Sequence, residues 1–512
     1  MYPNVCATAG RPASADVAFW QPKRLRTRTF GSMFVMTNKI HGTRSASASH
    51  DPTERATSYQ VPRELFDTAK LALPMVLGQL GQIAMMATDL VLIARIGIDE
   101  LAAAALASRI YLVVITLGMG LLAAIAPFAA QAFGAHNLNR VRRSLRTGLW
   151  AASMLSLPTI AIGLCGEPIL ILVGQPAEVA RLAQQYLLGL AWGAAPALLF
   201  LPVRSCIAAV NRPAPILWIT LAAIPMNALL VYLLTDGRLG LPRLGLFGAG
   251  LATTLVNCAT FLAGLSLITM LRPLRNYQMV AHLGCFDWPL MRELIVIGAP
   301  ISLSFLLESG AWSASVLLIG VIGTQALAAH QIAFQIAVVL LSIADGISMA
   351  ATVRVAQAVG RNHRHGIKRA GLVAMLLGVV IIAILTLVVV VARFEIAGFF
   401  LGQPGAQDGT IGMAASLLLI AATSFVTAGL CSIATGGLRG MKDTRVPLLF
   451  AGISYWIIGF SLSYTLSLKL GLNAVGVWIG LSIGAAVHAA LLVSRFYLLA
   501  SNISLQAGEP IR

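Results

Sequence analysis

Twelve stretches of about twenty or more apolar residues dominate this chain, and they leave little choice of fold. Roughly twenty such residues in one helix cross the hydrocarbon core of a bilayer. A helix is suited to that medium because it satisfies its own backbone hydrogen bonds where no water is at hand. The runs fall at 67–95, 102–133, 145–173, 180–203, 214–235, 244–271, 292–320, 327–358, 369–400, 410–434, 446–468 and 473–499. Only 11% of the residues are charged, and mean hydropathy is +0.84. A soluble domain carries about 25% charged residues. The expected fold is therefore an all-α membrane protein with twelve transmembrane helices.

The loop charges test that count. One set of loops holds Arg140, Arg142, Arg143 and Arg146, then Arg204 and Arg212, then Arg272 and Arg275. It continues with Arg361, Arg364, Lys368 and Arg369, and with Arg439, Lys442 and Arg445. The alternate loops hold Asp99 and Glu100, Glu167 and Glu178, and Glu395 and Asp408. Basic loops mark the cytoplasmic side, so both termini are expected there, in a bacterial inner membrane. A miscounted helix would invert the alternation, and it never inverts. The same distribution explains the net charge of +17 without nucleic acid as a partner. Six scattered cysteines have neither disulfide-framework nor zinc-site spacing.

A repeat with an offset of 226 residues runs through the chain. Pro74 matches Pro300, Leu101 matches Leu327, Gly120 matches Gly346, and QAFG ending at Gly134 matches QAVG ending at Gly360. GLPRLGLFGAG at 240–250 precedes span 6 much as GLNAVG at 471–476 precedes span 12. Two related halves are a usual transporter architecture, and an even span count gives both halves one orientation. The expected organisation is a basic tail over 1–63, an N-lobe over 64–271 and a linker over 272–291. A C-lobe over 292–499 and a short tail over 500–512 complete it. The lobes are expected to be related by a pseudo-two-fold axis.

Three acids fall well inside spans: Asp89, Glu308 and Asp345. A charge at mid-membrane costs about 2.5–3.5 kcal/mol or more, so such residues tend to face a cavity and serve function. On this reading no Lys or Arg lies at their depth, which favours exchangeable cations as partners. A buried carboxyl can take up a proton from one side and release it to the other. Ionised, it can hold Na⁺ or attract an organic cation. Pro74, about four helical turns before Asp89, removes a backbone hydrogen bond and is a candidate hinge. His330 is expected as a hydrogen-bonded interface residue, and Arg354 as a snorkelling base near a span end. No nucleophile–base pair, metal-ligand cluster or phosphate-binding loop stands out, so an enzyme is not expected.

LALPMVLGQLGQIAMMATDLVLIARIG, APFAAQAFGA, GLPRLGLFGAGLAT, AAHQIAFQI, ATVRVAQAVG and GGLRGMKDTRVP, in that order, resemble the multidrug and toxic compound extrusion (MATE) family. The resemblance covers about residues 64 to 498, and points to the bacterial NorM-like branch. It implies two six-helix lobes around a V-shaped central cavity. It also implies secondary active efflux of organic cations or drugs in exchange for H⁺ or Na⁺, with no cofactor, by a monomer in lipid. By resemblance Asp89, Asn227 and Thr253 match an N-lobe cation site that could take Na⁺, and Glu308 a C-lobe acid; Asp345 is an alternative acid. Departures from the pattern at Ala208, Ala223 and Thr427 favour H⁺ over Na⁺. A lipid or lipid-linked oligosaccharide flippase of the same superfamily is the alternative. It is disfavoured here because the intramembrane charges are acidic.

Overall fold

The computed structural model describes residues 52–237, 240, 242–270, 284, 286–401 and 408–505. Most of the tail at 1–63, most of the linker with Arg272 and Arg275, and residues 506–512 lie outside the described residues. Two compact units are distinguished, Met1–Tyr59 and Gln60–Arg512, and the architecture below is that of the second.

All regular structure among the described residues is helical. Eleven helices are long and apolar enough to cross a membrane alone. They are Pro62–Ala94 (span 1), Ile98–Gly134 (span 2), Leu138–Leu164 (span 3), Ala214–Asp236 (span 5), Gly245–Met270 (span 6) and Trp288–Ile322 (span 7). Thr324–Gly360 (span 8), Arg364–Val391 (span 9), Gly409–Gly440 (span 10), Arg445–Lys469 (span 11) and Asn473–Asn502 (span 12) follow. Span 4 is the twelfth. Where a continuous run over 180–203 was expected, Ala177–Ala191 and Ala194–Ala209 meet at 43°. The break falls at Gly193, and two side chains of span 6 donate to carbonyls there. Thr254 Oγ1 donates to Gly189 O at 2.7 Å, and Asn257 Nδ2 to Gly193 O at 3.4 Å. Span 11 was also expected as a regular helix, yet Gly452–Phe460 and Thr465–Lys469 are π-helical. Large apolar side chains such as Leu157, Leu172, Trp218 and Leu317 stay exposed, as a lipid-facing surface requires.

The 226-residue repeat extends to the backbone. His136 and Asn362, 226 apart, sit at φ 55° and 53° in the turns after spans 2 and 8. Asn211 and Lys442 occupy the corresponding turns after spans 4 and 10 at φ 60° and 62°. The two halves also meet through matched contacts. A Cβ on Gly120 would fall 2.7 Å from the Ser302 nitrogen, and one on Gly346 would fall 2.6 Å from the Val76 Cα. Val76 and Ser302 are themselves 226 apart. Gln131 Nε2 donates to Gly440 O at 2.9 Å, while its mate Gln357 Nε2 donates to Ala209 O at 2.8 Å. Contacts paired in this way describe a pseudo-two-fold axis between two six-span lobes.

The cores explain how the lobes part. One apolar cluster joins both halves at the end bearing the basic loops, with Ile125, Phe128 and Leu145 packed among residues such as Ile297, Val355 and Leu438. At the opposite end there are two separate clusters. Ile93, Leu187 and Leu246 belong to the first lobe, and Ile319, Phe425 and Trp478 to the second. Cross-lobe ion pairs close the basic end. Arg354 meets Glu64 at 2.5 Å, Arg369 meets Glu64 at 4.0 Å, and Arg143 meets Asp287 at 2.5 Å. Arg354 is thus ion-paired across the interface rather than snorkelling.

Candidate functional site

Asp89 lies near the end of span 1 away from the basic loops, and its carboxylate accepts a hydrogen bond from Asn227 Nδ2 of span 5. Asn227 is fully buried, and its Oδ1 has no hydrogen-bond partner. The pair therefore presents a carboxylate beside an amide oxygen that lacks a donor. The Thr253 hydroxyl donates to Ala249 O of its own helix at 3.3 Å. Tyr186 of span 4, which sequence reasoning passed over, interacts electrostatically with Asp89. An aromatic in an apolar run carries no distinguishing signal of its own. Pro74 lies well inside the span 1 helix, not at its start.

The second lobe holds a cavity of about 340 Å³. Glu308 of span 7 and Asp345 of span 8 both line it, as do Trp312, Phe334 and Tyr455. Asp345 accepts a hydrogen bond from Ser432 Oγ at 2.5 Å. The π-helical turn in span 11 carries Tyr455, whose ring meets His488 edge-on at 5.0 Å. Segments of this kind recur at functional sites, because the widened turn re-aims side chains. His330 differs from expectation: neither ring nitrogen finds a partner, and its ring packs on Phe334 and Trp478 instead.

Two arginines correct the expectation that bases keep to the loops. Span 10 continues to Gly440, so Arg439 belongs to its last turn and lines the cavity with both acids. Its guanidinium lies over the Phe305 ring, 4.9 Å from the centroid. Arg204 sits inside the helix Ala194–Ala209, not in the following loop. Both arginines line a further inter-lobe cavity of about 170 Å³, which Asp345 also faces. The runs read from the sequence stop at 203 and 434, and that left both residues in the following loops. Asp89 and the Glu308–Asp345 pair thus occupy separate lobes, and the four described cysteines are free.

The MatE family profile matches the chain twice, over residues 74–233 and 300–465, with starts 226 apart. A probable multidrug resistance protein NorM of Bradyrhizobium diazoefficiens is 54% identical over 440 residues, covering 86% of this chain and 94% of that protein. A probable multidrug resistance protein NorM of Rhodopseudomonas palustris is 48% identical over 85% of this chain and 92% of its own length. Among solved structures, an outward-facing multidrug resistance MATE family transporter of the MOP superfamily superposes with a TM-score of 0.79 at 19% identity. That match covers 86% of this chain and 97% of the other. The crystal structure of the eukaryotic MATE transporter AtDTX14 gives 0.76 at 19% identity, covering 87% and 99%. At such identities the structures speak for the fold, while the sequence matches span both lobes. The chain belongs to the MATE family of membrane transporters, in its NorM-like bacterial branch.

Proposed function

We propose that this chain is a secondary active multidrug efflux transporter of the inner membrane, exchanging cytosolic organic cations or drugs for H⁺ or Na⁺ by alternating access. The observation that carries the reading is the second-lobe cavity, where two carboxyl groups open into one space walled by Trp312, Phe334 and Tyr455. A carboxylate with aromatic faces is the chemistry that holds an organic cation. The relatives named as multidrug resistance proteins agree with it.

Asp89 is proposed as the coupling group. The Asn227 oxygen beside it suits a protonated carboxyl, which would donate to that oxygen, or a Na⁺ bound by both oxygens. Thr253 donates its hydroxyl hydrogen to its own helix and keeps its oxygen lone pairs, so the preference for H⁺ rests on the departures at Ala208, Ala223 and Thr427. With the basic loops and both termini in the cytoplasm, this conformation is closed to the cytoplasm. Pro74 is retained as the hinge of span 1, and a monomer in lipid, without nucleic acid, as the working unit. One charge crossing 100 mV supplies about 2.3 kcal/mol, enough for a roughly fifty-fold gradient at 1.4 kcal/mol per decade. No nucleotide is needed.

The test is efflux of a fluorescent cation from proteoliposomes under an imposed pH or Na⁺ gradient. Asp89→Asn is expected to abolish gradient-driven transport, and Glu308→Gln or Asp345→Asn to weaken it at least tenfold. Wild-type rates from Asp89→Asn under both gradients would remove it as the coupling group. No cation transport by wild type would remove the efflux reading. Arg204 and Arg439 give the flippase reading a basis it lacked in the sequence, since they place positive charge between the lobes. The adjoining acids and the named relatives keep efflux ahead. Wild-type vesicles that translocate a lipid-linked pyrophosphate and no cation would reverse that order.

A further inference from the structure

Three arginines of the second lobe converge on a pocket that the transport mechanism leaves unused. It lies at the basic end and measures about 310 Å³. Arg354 and Arg361 reach it from the end of span 8, His363, Gly366 and Arg369 from the start of span 9, and Glu64 from span 1. Glu64 is the only acid among its described lining residues and is already engaged, 2.5 Å from Arg354 and 4.0 Å from Arg369. Asp67 also faces Arg354, at 3.8 Å. No ion pair among the described residues includes Arg361. Positive charge therefore exceeds negative around the pocket.

The start of span 9 adds to that excess. In the first lobe Asn137 caps span 3, its side chain accepting from Arg140 N at 3.0 Å. The two-fold mates are His363 and Gly366, and the His363 side chain makes no such bond. The first-turn amides of span 9, at the positive end of the helix dipole, are thus open to an anion. The face of span 9 that carries Arg369 continues as Leu372, Leu376 and Val380, all exposed, at three, seven and eleven residues further on. Eleven residues rise about 16 Å, roughly half of a 30 Å hydrocarbon core. The stripe runs from the pocket through one leaflet, as the acyl chains of a lipid do.

We propose that this pocket binds the phosphate of an anionic phospholipid. Arg361, Arg369 and the first turn of span 9 donate to it, and the acyl chains lie along Leu372, Leu376 and Val380. A guanidinium matches two phosphate oxygens at once, and basic pockets between membrane helices suit such headgroups. Free phosphate would meet the same donors but gain nothing from the apolar stripe. Glu64 works against the lipid, because it shares Arg369 and repels the phosphate.

Native mass spectrometry of the purified full chain in neutral detergent reads the affinity for the first lipid bound. Wild type is expected to bind phosphatidylglycerol at least five-fold more tightly than phosphatidylcholine of the same chains. Arg361→Gln should lose most of that preference while keeping phosphatidylcholine affinity within two-fold, which also reports a folded protein. Glu64→Gln should tighten phosphatidylglycerol at least two-fold, an effect that a merely structural role for the cluster would not produce. Arg445→Gln, at an exposed base of the same end outside the pocket, should keep the full preference. Equal wild-type affinity for the two lipids overturns the proposal. So does an equal loss in Arg361→Gln and Arg445→Gln, which would mark a diffuse surface charge. Unchanged or weaker binding in Glu64→Gln would place the lipid elsewhere. Glycerophosphoglycerol, the same headgroup without chains, and inorganic phosphate separate the two sources. Displacement of phosphatidylglycerol by either at equal concentration would assign the pocket to a soluble anion and overturn the lipid.

Discussion

Gly134 and Gly360 show how single residues set the conformation of this transporter. Each ends a QA-x-G stretch, and each lies against the other's lobe. A Cβ on Gly134 would fall 2.9 Å from the Gln357 Cα, and one on Gly360 would fall 2.9 Å from the Gln131 carbonyl carbon. The obstructing atoms are backbone, so they cannot rotate aside as a side-chain tip would. The clash exists only while the lobes touch at the basic end. Alanine at either position should therefore disfavour this conformation without disturbing a lobe's own packing. Gly134→Ala and Gly360→Ala are each expected to lower transport about ten-fold, corresponding to a conformational shift of about 1.4 kcal/mol. Thermal stability should change little. Spin labels on Asn137 and His363 should report a wider separation of the two basic-end loops in both variants, by similar amounts because the contacts are two-fold mates. An unchanged distance in both would show that the glycines do not govern closure. The sequence repeat displayed these glycines as matched letters, but their reason lies in contact with residues more than 200 positions away.

At the scale of the element, the broken span 4 depends on two side chains of span 6. The break at Trp192–Gly193 frees carbonyls that a continuous helix would satisfy, and no water in the bilayer can replace the lost bonds. Gly193 N turns to Leu190 O, and Thr254 supplies the donor that Gly189 O loses, while Asn257 adds a second bond to Gly193 O, which already accepts from Ala197 N. Thr254→Val keeps the shape and removes the stronger of the two bonds. The expected cost is about 0.6–1.7 kcal/mol, from the average to the maximum for such bonds between membrane helices. It should appear as a lowered unfolding midpoint, larger than that of Thr253→Val, whose hydroxyl serves only its own helix. Equal midpoints for the two variants would mean that the bend holds without Thr254. The same element shows where sequence legibility ended. Hydrophobic run length placed all the spans in order, since burial in lipid is written into every residue of a span. It did not reveal the bend, because Gly193 lies in a run no less apolar than its neighbours. Nor did it place Arg204 and Arg439. The apolar run was read as ending at 434, yet Gly436-Gly437 continues the helix, packed closely on Ser348 and Phe496. Asp89, Glu308 and Asp345 were legible for the opposite reason: an acid in an apolar run is costly enough to be conspicuous. Their grouping into one site per lobe needed the fold.

For the whole molecule, the question is what opens the basic end. Among the described residues the lobes share one apolar core there and hold separate clusters at the opposite end. Separating them must therefore be offset by closing the far ends, with each lobe moving largely as a body. Labels at Ile98 and Thr324, mates at the far end, should approach as labels at Asn137 and His363 move apart. The ion pairs decide how such a movement responds to pH. Asp287 sits at the start of span 7, almost buried, with Arg143 at 2.5 Å and Arg146 at 3.7 Å. The Arg143 hydrogen bond holds its carboxyl below the ordinary carboxylate range, outweighing the burial that pushes it up. In the open state Asp287 would return to an ordinary value near 4. Its contribution to closure is then complete above that value and lost only as the pH falls through the lowered one. Between pH 5 and 8 this latch should be constant. Asp287→Asn is expected to shift both label distances towards the state open at the basic end, by an amount that does not vary across that window. Any pH response common to wild type and variant must then come from elsewhere, and the intramembrane acids are the groups placed to supply it. A shift that disappears between pH 8 and pH 5 would instead make the Arg143–Asp287 pair itself the proton sensor, and would move the coupling site from mid-membrane to the gate.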